Sequence, residues 1–280
     1  MSGEAPSRRP LRLGISLIAA LTLLVVIAIV ARDDEPGAAT TYQADGLVLQ
    51  NHAHGSELCL GPIPAVSPPT CGTIPITNWD WSNVSGEHTS AETTWGTYHL
   101  IGAFDGTRLT LEGPPTASRE ASALPQTGIT TPCPAPEGGW QPPSPPISQE
   151  EAGRFQAGIS DTPDFAGDWV DYRNAPNGER FFVFNVAFTR DLEQHRTELL
   201  REWKGPLCVT QAERTLSELK SIQHRLSDVP GIRVLDSGIN AVADRVECDV
   251  VVLGREQQQM LDDRFGAGAV VATPALTPAG

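Results

Sequence analysis

Lysine is nearly absent. Lys204 and Lys220 are the only two, and the other 18 basic residues are arginine. Lysine codons are AT-rich and most arginine codons GC-rich, so the usage points to a GC-rich bacterial genome and says nothing about fold. Positive charge is scarce overall, with a net charge of −14. Arg8, Arg9 and Arg12 against Glu4 give the first residues a local +2, which leaves −16 on the rest. Such a surface repels phosphate backbones, so nucleic acid is excluded as a partner. Signatures of catalysis are missing too. There is no GxSxG elbow, no HExxH pair, no phosphate-binding Walker loop and no EF-hand run of carboxylates. No cofactor motif is found, and the expectation is a non-enzymatic chain without cofactor.

The 280 residues allow about two domains. With 40% hydrophobic residues the chain has enough apolar side chains for packed cores. Charge is wholly lacking from Leu13 to Ala31, a run of 19 residues. As a helix it measures roughly 28 Å, close to a bilayer core of about 30 Å. Arginines precede it and Asp33, Asp34 and Glu35 follow, which places residues 1–12 in the cytoplasm as a short tail and residues 13–31 across the cell membrane as a single-pass helix. The alternative is a cleaved signal peptide. It is disfavoured by the length of the apolar run and by Ile29 at the −3 position of a site after Ala31. Everything downstream is then expected outside the cytoplasm.

From Tyr42 the pattern is that of strands. Residues 46–49 and 57–60 flank a polar tip, His52 to Ser56, and read as a hairpin. Asp105-Gly106 separates the long run Trp95–Phe104 from residues 108–111, another hairpin signal, because both central turn positions favour positive φ. Residues 42–112 are therefore expected to form a small all-β barrel, OB-like in shape. Residues 113–147 are Pro-rich and read as a linker, which Cys133 and Trp140 are placed to tie down.

Residues 148–280 alternate strands and helices, an α+β domain. Ser148 with Glu151 and Thr215 with Glu218 fit capping boxes, and Asp191 is expected to cap a helix with Gln194 at its third position. A last helix is expected over about residues 255–265, ended by Gly266. The half contains a repeat. Glu179 and Asp244, Arg180 and Arg245, and Asp171 and Asp236 are each 65 residues apart, and each copy reads strand, strand, helix, strand. This predicts a duplicated β-β-α-β unit, with Val183 matched to Cys248.

ELCLG (57–61), PPTCG (68–72), WDW (79–81), WGTYHLIGAFDG (95–106), PCPAPEGGW (132–140), FAGDWVDY (165–172) and GPLCV (205–209) resemble an uncharacterised family of secreted or membrane-anchored proteins from GC-rich Gram-positive bacteria. The resemblance covers nearly the whole chain beyond the apolar run. It implies location and architecture, not an activity. At pattern level the C-terminal half is also similar to pro-regions of secreted bacterial serine proteases.

Five cysteines in an oxidising location leave one unpaired. Cys59 and Cys71 are the nearest pair, and their bridge would contribute roughly 3 kcal/mol in the chain-entropy view. Cys248 alternates with Val246, Val250 and Val252 on the apolar side of a strand, which makes it the buried free thiol. That leaves Cys133 with Cys208, and the family resemblance points the same way. Zinc is the rival for the cysteines and lacks paired spacing. His52 and His54 with His88 or His99 are a metal candidate, weighed against ordinary polar loop tips. Asp161, Asp164, Asp168 and Asp171 are a Ca²⁺ candidate only if helical, which Pro163 and Gly167 oppose. No metal is expected. Trp79, Trp81, Trp95 and Trp140 are read as core ahead of sugar-stacking surfaces. The function expected is non-enzymatic binding or scaffolding of an unknown protein or ligand at the cell surface. A modulator of a secreted protease, as inhibitor or folding helper, is the alternative, and an enzyme of unrecognised type comes third.

Overall fold

The computed structural model describes residues 40–71, 74–118 and 129–280. The expected membrane span over residues 13–31 lies outside the described residues. Among the described residues, no helix is long and apolar enough to cross a membrane.

The first strands in chain order are β1 (Thr41–Gln50), β2 (Glu57–Cys59), β3 (Ile74–Thr77), β4 (His88–Ser90), β5 (Thr93–Phe104), β6 (Leu109–Leu111) and β7 (Thr116–Ala117). The polar tip after β1 turns the chain so that Leu47 faces Cys59 and Val48 faces Leu58. β2 pairs with β3, β3 runs parallel to β6, and β6 pairs with β5. β5 then pairs with the whole length of β1, from Thr41 against Ala103 to Gln50 against Thr94. This closes a five-stranded barrel in the order β1-β2-β3-β6-β5, with β4 and β7 on its side. The closure depends on Gly102, where a Cβ would run into the Thr110 carbonyl. At the β5–β6 turn only Gly106 has positive φ. Asp105 does not follow the expected turn. Its carboxylate accepts from the Thr107 and Arg108 N–H groups at 2.8 and 2.9 Å and builds a four-residue loop, because a side-chain acceptor can replace a left-handed backbone. Those same bonds lower its pKa to about 2.

The rest is helix and strand: α1 (Gln149–Ser160), β8 (Phe165–Asn174), β9 (Arg180–Phe188), α2 (Leu192–Glu202), β10 (Leu207–Gln211), α3 (Leu216–Arg225), β11 (Val234–Asn240), β12 (Arg245–Val250), α4 (Arg255–Phe265), β13 (Val270–Pro274) and β14 (Thr277–Pro278). Two three-stranded sheets result, β8-β9-β10 and β11-β12-β13. In each the first pair is antiparallel and the second parallel, with one helix making the crossover. Ser148 and Thr215 close capping boxes on α1 and α3. Asp191 departs from expectation: it sits before α2 at φ 54° with no cap bond from its side chain. A left-handed residue aims its carboxylate away from the N–H groups it would cap, and Gln194 bonds Glu198 instead.

The 65-residue spacing also needs correction. Phe184, Val186 and Phe188 pack with Leu199 of α2 and with Trp203, which caps its C-terminus. Val246, Cys248 and Val250 pack with Leu261 of α4 and Leu219 of α3. Phe188 precedes Leu199 by eleven residues and Val250 precedes Leu261 by eleven, so the helix-facing sides match at an offset of 62. Val186 therefore stands where Cys248 stands. Val183 lies on the opposite face with Phe181 and Cys208. Offsets of 65 and 62 differ by an odd number, and an odd shift along a strand reverses every side chain.

Thr41–Gly280 is one compact unit. Val251 and Leu276 enter the barrel core beside Leu58, Leu60 and Leu100. β14 pairs with β1, Tyr42 facing Pro278. Asp244 joins the two sheets' units by accepting from the Glu213 and Arg214 N–H groups at 2.7 and 3.2 Å.

Candidate functional site

Each three-stranded sheet has helices on one face, and the two outer faces differ. On the first sheet, strand register aligns Gly167, Ala187 and Thr210 in one row, Trp169, Asn185 and Cys208 in the next, and Asp171 with Val183 in a third. This face is covered by residues 129–147 and, beside Gly167 and Ala187, by Ala241. Cys133 of that segment is bonded to Cys208, and Trp140 packs on Phe181 and Val183. The Trp169 Nε1–H donates to the Thr130 carbonyl at 3.2 Å. Asp171 accepts from the Thr131 N–H and hydroxyl, both at 2.9 Å, and from Arg173 at 2.7 Å. Burial alone would raise the Asp171 pKa, and these bonds outweigh it and hold the carboxyl below its ordinary range. Asn185 is fully buried beneath the cover, its amide donating to the Val183 carbonyl at 3.0 Å.

On the second sheet the matching rows are Asp236, Asp249 and Thr273; Gly238, Glu247 and Val271; and Asn240 with Arg245. No segment among the described residues crosses them. They line an open groove of about 480 Å³. Gly238 occupies the place of Trp169, and a Cβ there would meet nothing within 4 Å. Glu247 is neutralised within the row pattern, accepting from Arg245 at 2.7 Å and Asn240 at 3.0 Å. Asp236 and Asp249 are exposed, directly opposite one another, and bonded to no other side chain or backbone group among the described residues. Like charges in that register repel. The groove offers hydrogen-bond acceptors and negative charge, with no nucleophile and base brought together.

The residues singled out from the sequence are dispersed. His52 approaches Glu92 at 3.3 Å, His99 approaches Asp45 at 3.1 Å, His88 lies beside Trp95, and His54 is exposed. No group of three His, Cys, Asp or Glu side chains able to hold a metal ion occurs among the described residues. The four aspartates do not share a face. Asp164 binds His195, Asp168 accepts from Gln156 at 2.8 Å, Asp171 holds the cover, and Asp161 ends α1. Trp79, Trp81 and Tyr98 stack edge-on at 5.0 to 6.2 Å over the barrel core. Cys59 is bonded to Cys71, and Cys248 is buried and free. The two disulfides fit an extracellular or otherwise oxidising environment for this part of the chain.

Sequence reasoning missed the pair formed by Asp164 and His195. The His195 Nε2–H donates to Asp164 at 2.8 Å, and the ring stacks on Phe188 at 3.9 Å. Only the histidine at the start of α2 hinted at it. Among the described residues no serine, threonine or cysteine side chain is hydrogen-bonded to His195, so no catalytic triad is formed there, and the pair fastens α2 to the turn before β8. No protein-family model matches the chain, and no curated protein is similar to it.

Proposed function

We propose that the chain is a membrane-anchored, extracytoplasmic binding protein without catalytic activity, and that the open outer face of β11-β12-β13 is its binding surface. One observation carries the reading: of two faces with the same strand order, one is covered by 129–147 and Ala241, and the other bears a groove with two carboxylates that have no partner among the described residues. The uncharged run over residues 13–31 supports the anchor. The strand order of the barrel supports the OB-like reading.

Gly238→Trp tests the assignment, since it fills the groove where the backbone has room. Full-length wild type and variant are used to capture proteins from the organism's own envelope extract. A partner held by the wild type and lost by Gly238→Trp is the expected result. Equal capture by both chains overturns the assignment. If the partner is a secreted protease, the role becomes that of its modulator.

A further inference from the structure

We infer that the occupant of the open face is an extended, basic segment of a partner protein, lying across β11, β12 and β13 as residues 129–147 lie across the first sheet. This rests on the reading of that face as the binding surface and adds the chemistry of what it takes.

The first sheet shows how such a face is covered. Its cover is a Pro-rich chain, Pro132, Pro134, Pro136, Pro142 and Pro143 among its residues, which turns once at Pro136–Gly139. No helix or strand is assigned within residues 129–147. It is fixed by a carboxylate of the sheet, Asp171, which accepts from Thr131. On the second sheet Asn240 stands where Asp171 does, two carboxylates, Asp236 and Asp249, stand where Gly167 and Ala187 do, and no segment among the described residues covers them. Two strand spacings measure about 10 Å, so three or four extended residues at about 3.3 Å each cross the face.

Charge selects the occupant. Among the described residues Arg245 is the only cation lining the groove, and Glu247 satisfies it. Asp236 and Asp249 remain, facing each other from adjacent strands. A guanidinium or ammonium group between them converts a repulsion into charge-assisted hydrogen bonds. A chain at −14 disfavours an acidic segment or a phosphate there. A bare metal ion lacks a third ligand. A lipid surface lacks an exposed apolar side chain to enter, since Val271 is half-buried.

The test uses the full chain in non-ionic detergent and fluorescein-labelled peptides of alternating Pro-Arg, Pro-Ser and Pro-Glu, read by anisotropy at physiological salt. Pro-rich probes are extended beforehand and lose little entropy on binding. The Pro-Arg peptide is expected to bind. Asp236→Asn with Asp249→Asn should weaken it by roughly tenfold or more, the worth of a charge-assisted bond. Gly238→Trp should remove binding, while Glu150→Gln with Asp263→Asn, acids away from the groove, should leave it unchanged. Thermal unfolding of each variant shows that the fold is kept. Pro-Ser binding as tight as Pro-Arg, lost equally in Gly238→Trp, overturns the basic occupant and leaves the face as a binding surface. Pro-Arg binding that survives Gly238→Trp, or that falls equally with Glu150→Gln and Asp263→Asn, is a general charge effect and overturns the inference. So does no binding of any peptide.

Discussion

Cys248 is packed against Leu219, Val246 and Leu261, and burial together with the neighbouring Asp249 pushes its thiol up to about 11. A thiol so placed behaves as a small hydrophobe. Cys248→Val should fold normally and cost less than about 1.5 kcal/mol by urea titration. Alkylation should miss Cys248 in the native protein and label it alone after unfolding without reductant. Labelling of Cys133 instead would mean that the bridge to Cys208 is not made. Asp164 gives a prediction in pH. Burial would raise its pKa, but the hydrogen bond from His195 and the charge of Arg190 outweigh it and hold the carboxyl below 3.8. A carboxyl lowered on folding contributes fully above its unfolded pKa and loses that contribution as pH falls through the folded value. Asp164→Asn should therefore cost about 1.5–3 kcal/mol near pH 7. The gap to wild type should narrow as the pH drops below 3.8, and a gap constant from pH 7 to pH 2.5 would rule the account out.

At the scale of elements, α2 and α3 begin with residues that look equivalent in sequence and are not. Thr215 accepts from the Glu218 N–H at 3.1 Å while Glu218 accepts from the Thr215 N–H at 2.7 Å. Thr215→Ala should cost about 1 kcal/mol. Asp191 makes no cap bond and holds a left-handed backbone, so Asp191→Gly should be neutral or stabilising. Urea midpoints of the two variants decide it, and a loss at Asp191 equal to that at Thr215 would contradict the geometry. Both capping boxes were legible because the pattern is contained in four consecutive residues. The φ of Asp191 was not, because the approach of α2 to the turn before β8, held by His195 and Asp164, joins it to a segment far away in the chain. The repeat was legible as an order of elements but not in its facing. Alternation along β9 is apolar on both sides, with Phe181 and Val183 facing one way and Phe182 and Phe184 the other. Sequence alone gave no reason to choose between offsets of 65 and 62.

For the whole molecule, the barrel and the second sheet's unit share a core. Leu276 is 1% exposed among barrel residues, although it lies far along the chain from them. Leu276→Ala should cost about 2–5 kcal/mol. It should lower one common unfolding transition of the barrel and the C-terminal units in calorimetry. Two separate transitions, only one of them moved by the substitution, would show that the shared core does not couple them. The same coupling bears on the groove. β13 leads through Ala275 and Leu276 into β14 on the barrel, so the open face is mounted on a rigid body and not on a free module.

What the sequence determined is what short-range chemistry controls. Uncharged runs, hairpins around polar tips, capping boxes and the alternation that buries Cys248 are each written within about twenty residues. What the tertiary structure decided is which distant segments meet. Residues 129–147 seal the first sheet only because Cys133 reaches Cys208 and Thr131 reaches Asp171, 75 and 40 residues away. Asp236 and Asp249 face each other only because one strand register brings them opposite. Neither residue is marked locally, and each reads alone as a solvated surface acid. A repulsive pair on an open face exists only once two strands have chosen their register, and that choice is made by the apolar side of the sheet, where Val246, Cys248 and Val250 bury against α3 and α4.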